Sequence, residues 1–99
     1  MPAPAEHYTV VLAPHPSGAW AAFCPAVPGA AAQAGSRATV LDELRLVVAA
    51  LIEEGVVPLP ETPELVASEV AQLLKGRAED GLPLRVETTP IVVPAPVAA

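Results

Sequence analysis

The sequence predicts an α+β fold: a three-stranded antiparallel meander, two helices and a final strand that joins the sheet, in the order β-β-β-α-α-β. Three observations carry that prediction. Apolar residues alternate from His7 to Ala13, they recur at helical spacing from Val40 to Leu51, and a second helical stripe follows a Thr-Pro-Glu start at Thr62. A chain of 99 residues makes one domain with a single modest core.

Tyr8, Val10 and Leu12 fall on one side of the first strand, and His7, Thr9 and Val11 on the other. Pro14-His15-Pro16-Ser17-Gly18 is a compact loop, and Ala19 to Phe23 returns as the second strand of a hairpin. Pro25, Pro28 and Gly29 make the next turn. Ala30 to Ala34 then reads as a third strand by spacing, against the poor strand propensity of alanine.

Thr39 is the expected N-cap of the first helix, with Asp42 at the third helical position and Gly55 just beyond the end. Val40, Leu44, Val47, Val48 and Leu51 form its stripe, while Asp42, Glu43 and Arg45 lie off it. Leu46 to Ile52 is apolar nearly all round, so the sheet should cover one side of this helix and something else the other. Thr62 caps a second helix with Pro63 at its first position. Val66, Val70, Leu73 and Leu74 form its stripe and Gly76 is its expected end, and it is a candidate to cover the first helix. Leu84, Val86 and Thr88 alternate into a last strand. There Pro90 predicts an edge position or a bulge before Ile91. Residues 1–6 and 94–99 are expected to be loose.

Composition narrows the function. The net charge of −6, with five Lys and Arg, argues against direct nucleic-acid binding and suits a basic protein partner. The 53% apolar content is mostly Ala and Val, and a core of small side chains makes self-association or a partner chain plausible. One cysteine excludes an internal disulfide. The N-terminal residues lack the basic and apolar regions of a signal peptide, so a soluble, cytoplasmic protein without membrane association is expected.

Catalytic chemistry finds little to stand on. There is no Asp or Glu between Glu6 and Asp42, so the predicted meander offers no carboxylates for a metal nuclease. His7 and His15 have no metal-ligand spacing, Cys24 precedes Pro25 at a strand end where an inert thiol is expected, and no glycine-rich phosphate loop exists. No catalytic residue, metal ligand or cofactor is therefore expected. Tyr8, Trp20 and Phe23 are expected to anchor the core, with an outward-facing interface anchor as the alternative for one of them. The candidate partner-binding residues are Trp20 in that alternative setting, and Asp42, Glu43, Leu46 and Glu53 on the first helix.

Tyr8-Thr9-Val10-Val11-Leu12, the turn ending in Gly18, Trp20, Pro25-Ala26-Val27-Pro28-Gly29, Gln33, Gly35 and the helix opened by Thr39 together resemble the HicB-like antitoxin family. The resemblance covers residues 7 to 54 and reaches the last strand only loosely. Ala26 stands where the family has an acid, Ala30 where it has cysteine and Ala32 where it has threonine. Arg37 brings a positive charge to a normally acidic helix start, and the second helix is an addition. The resemblance implies a partial ribonuclease-H-like fold without the nuclease acids, and a partner that is a HicA-like small basic toxin cleaving messenger RNA. The family's C-terminal DNA-binding domain has no room after Val93, so no direct DNA contact is expected. The competing expectation is a stand-alone homodimer or tetramer of the same fold, a structural or interaction protein without a toxin.

Overall fold

The computed structural model describes residues 5–94. Strands β1 (Ala5–Pro14), β2 (Trp20–Phe23) and β3 (Ala31–Ala34) are followed by helices α1 (Arg37–Glu53) and α2 (Pro63–Glu79) and by strand β4 (Glu87–Pro94). The order is the predicted one. The sheet runs β3-β2-β1-β4 with every neighbour antiparallel, so no parallel crossover is needed.

Alternation in β1 sets up two cores. Tyr8, Val10 and Leu12 face α1 and pack with Ala22, Ile91, Val93 and the helix residues Val40, Leu44 and Val48. Each fully buried Val, Leu or Ile among these contributes about 1.5–3 kcal/mol. Val11 and Ala13 point the other way and are also buried, because α2 packs on that face. The expectation that α2 covers α1 is therefore corrected: the two helices lie on opposite faces of the sheet. Leu73, Gly76 and Arg77 of α2 stand over Ala13, Ala21 and Phe23.

Pairing also moves the boundaries. β1 and β4 pair without interruption from Ala5 opposite Pro94 to Leu12 opposite Glu87. Ala5, Glu6 and Pro94, expected to be loose, are thus held in a ladder, while residues 1–4 and 95–99 lie outside the described residues. The last strand begins at Glu87 rather than Leu84: its pairing with β1 stops at Leu12 opposite Glu87, although β1 continues to Pro14. Pro90 sits in an edge strand without a bulge, one of its two predicted settings.

Helix ends show which local signals prevail. Ser36, not Thr39, caps α1, with its Oγ accepting from the Thr39 N–H at 3.1 Å. Serine precedes the first helical residue, and Thr39 merely supplies the amide that it caps. At the other end Gly55 adopts φ 101°, its N–H donates to Ile52 O and that of Val56 to Leu51 O, as the sequence predicts. α2 starts as predicted, with Thr62 Oγ1 accepting from the Leu65 N–H at 3.1 Å. It does not stop at Gly76. The helix continues to Glu79 and turns at Gly81 (φ 70°), where the Gly81 N–H donates to Ala78 O and the Leu82 N–H to Arg77 O.

The extra turn has a visible purpose. It carries Arg77, only 7% exposed, whose Nε donates to Pro83 O at 2.6 Å and whose Nη2 donates to Pro14 O. One guanidinium ties the end of α2 to the β1–β2 turn and to the approach to β4. Between the helices, the Glu61 carboxylate accepts from the Thr9 N–H at 2.6 Å and from its hydroxyl at 3.1 Å. This satisfies a part of β1 that β2 is too short to reach.

Candidate functional site

The inward stripe of α1, Val40, Leu44 and Val48, leaves the opposite side of the helix facing away from the sheet. At 100° per residue, Asp42, Glu43, Leu46, Ala50 and Glu53 share that outward side, and all five are exposed. Leu46 is the extreme case among its large apolar residues, at 72%. Four of the five sequence-derived candidates, Asp42, Glu43, Leu46 and Glu53, therefore form one continuous surface, because the same periodicity that buries the stripe collects the remainder. Glu54, the C-cap of α1, adds a further acid at its end. Arg45 Nη1 meets Asp42 Oδ1 at 3.0 Å across one turn, an exposed pair of little energetic weight. The surface is an exposed apolar side chain with Asp42 and Glu43 on the preceding turn and Glu53 two turns further on.

Trp20 does not belong to it. Strand register places Trp20 opposite Pro14 and Ala34 on the sheet face beneath α1, where it is half-buried against the core. Of its two expected settings, the half-buried position against the core is the one found, not that of an outward anchor. Arg85 lies over its ring, with the guanidinium carbon 5.9 Å from the centroid. Arg85 Nη2 reaches Glu87 Oε1 at 2.9 Å, and Arg37 Nε, at the start of α1, reaches Glu87 Oε2 at 2.9 Å. The Arg37 hydrogen bond, the largest effect, holds the Glu87 carboxyl below the usual carboxylate value; burial opposes it, and the Arg85 hydrogen bond and both guanidinium charges add to the lowering. This clasp between α1, β2 and β4 escapes sequence reading. Its members are 50 residues apart at Arg37 and Glu87, and only the spacing of Arg85 and Glu87 on one side of an extended segment hints at it.

The remaining reactive groups are dispersed. Cys24 is buried, and desolvation pushes its thiol up to about 11, well away from the thiolate form that nucleophilic chemistry needs. His15 is exposed and turned back into its own loop, with Nδ1 accepting from the Ser17 N–H at 3.1 Å and bonded to Ser17 Oγ at 2.8 Å. Among the described residues no three His, Cys, Asp or Glu side chains group in a way that could hold a metal ion, and no helix is long and apolar enough to cross a membrane. What the arrangement offers chemically is contact: an acidic, apolar-centred helix face on a rigid sheet. No family model matches this chain, and no curated protein or solved structure matches it.

Proposed function

We propose that this protein is a non-catalytic, antitoxin-type binding protein that neutralises a small, basic, messenger-RNA-cleaving toxin in the cytoplasm. The observation that carries the reading is the outward face of α1, with Leu46 at 72% exposure among Asp42, Glu43 and Glu53. An isolated exposed leucine is ordinary on a protein surface. An exposed leucine within a cluster of like charge is a surface that water and a basic partner tolerate but another acidic surface does not. Pairing α1 with itself would set Asp42 and Glu43 of one copy among the acids of the other, so charge selects a partner of opposite sign. The resemblance of residues 7 to 54 to the HicB-like family suggests the class of that partner, and this face lies within the span of the resemblance.

Co-expression with whatever small basic chain its neighbouring reading frame encodes is the test. A stable complex and rescue of growth are expected. Leu46→Asp should weaken binding by about 10–100-fold while changing the melting temperature little, since the side chain is mostly exposed. Absence of any complex between the wild-type chain and that neighbour would end the antitoxin reading.

A further inference from the structure

The two edges of the sheet differ in chemistry. The Thr9 N–H turns to Glu61, away from β4, so Thr9 and Pro90 form a non-hydrogen-bonded pair of the β1–β4 ladder. The nitrogen of Pro90 therefore faces the free edge of β4. The missing N–H breaks the row of donors there, a recognised way of guarding an edge.

β3 has no such guard. The Cys24 N–H donates to Ala30 O at 3.2 Å, and by alternation Ala32 and Ala34 exchange their main-chain bonds with Ala22 and Trp20. The N–H and C=O groups of Ala31 and Gln33 consequently point outward, and among the described residues no hydrogen bond reaches them. Ala31–Ala34 contains neither proline nor charge, and the nearest charged position along the chain is Arg37. Both Ala31 and Gln33 are exposed.

We propose that β3 is where two copies of this chain meet, antiparallel about a two-fold axis at Ala32, so that two four-stranded sheets become one. In that register Ala31 of each copy exchanges both main-chain bonds with Gln33 of the other, giving two such pairs across the junction. On the α2 side of the sheet a groove of about 310 Å³ opens among Ala21, Phe23, Ala31, Ala32 and Gln33. The half-buried Phe23 ring forms part of its wall, and the arriving Gln33 side chain lies beside it. On the α1 side, methyl groups of Ala32 face each other, and no bulk keeps the backbones apart.

Charge points to a second copy as the occupant. Two chains of net charge −6 repel over most of their surfaces, and this uncharged, self-complementary edge is where that repulsion is least. With the opposite edge guarded, association closes at two. A four-residue pairing buries less than the ~800 Å² per partner of a standard interface, so the dimer dissociates in the micromolar range. This inference is independent of the antitoxin reading and uses a different surface.

Sedimentation velocity of the full chain from about 1 to 300 µM decides it. A concentration-dependent shift to dimer mass is expected, with slower hydrogen exchange of the Ala31 and Gln33 amides at the high end. Gln33→Pro removes only an edge-facing N–H, in a setting that Pro90 already occupies on the other edge. It should raise the dissociation constant about a hundredfold through two lost bonds per dimer. Gln33→Lys keeps the N–H and charges the edge, so it weakens the dimer even if the proline variant does not fold. Leu46→Asp should leave the dimer intact, which separates failure here from failure of the toxin-binding reading. A wild-type chain that stays monomeric throughout overturns the proposal, as does a dimer that neither Gln33 substitution affects.

Discussion

Glu87 is the only described carboxylate shared between two arginines, and its titration should be visible in the stability of the whole fold. Its folded pKa lies below the ordinary value of 4.5, chiefly through Arg37. Such a group contributes fully above its unfolded pKa, and the contribution disappears as pH falls through the lower folded value. The melting temperature should therefore decline on acidification from about pH 6 to pH 3, and Glu87→Gln should flatten that decline. Equal slopes for the two proteins would show that the clasp carries no linkage. Cys24 behaves in the opposite sense: burial holds its thiol protonated at neutral pH, which fits a packing residue beside Ala26 and Val27.

At the scale of elements, the two glycines of α2 give opposite predictions. Gly76 lies inside the helix, has no positive φ, and a Cβ there would meet nothing within 4 Å. Gly76→Ala should stabilise by about 0.5–1 kcal/mol. Gly81, at φ 70°, terminates the same helix, and Gly81→Ala should destabilise by about 1–2 kcal/mol. Thermal melts of both variants check whether α2 ends at Glu79 or earlier. Gly76 looked like a stop because glycine followed a completed stripe. Local sequence could not show that Arg77, one residue further on, finds carbonyls at Pro14 and Pro83 and draws the helix onward. Strand periodicity was more legible, since burial of Tyr8, Val10 and Leu12 on one face follows directly from alternation. The alanines of β3 are a different case. Their own propensity opposes a strand, and pairing with β2 overrides it.

For the molecule as a whole, charge distribution governs association. A net charge of −6 with acids gathered on the outward side of α1 steers a basic partner, and added salt removes that steering. If the proposed toxin is the partner, raising ionic strength from about 50 to 500 mM should slow association with it about tenfold and change dissociation far less. Comparable slowing of both rates would point to a mainly apolar contact. The α1 face was readable because helical periodicity alone decides which residues are left outside. For Trp20 the core setting was one legible reading of two, but its cover by Arg85 was not, since that depends on the register of β2 and on a residue far along the chain. The placement of α2 was equally hidden: a half-buried stripe states that a helix packs, without naming the surface that receives it.

The ladder between Ala5–Leu12 and Glu87–Pro94 has a temporal side. β1 is an interior strand of the finished sheet, yet one of its two neighbours is encoded at the far end of the chain. On the ribosome, the run from Tyr8 to Leu12 must wait on the order of ten seconds with one flank open before that neighbour emerges. Glu61 and β2, once made, occupy only the opposite flank, so the side of β1 that awaits β4 is where the nascent chain is open to mispairing.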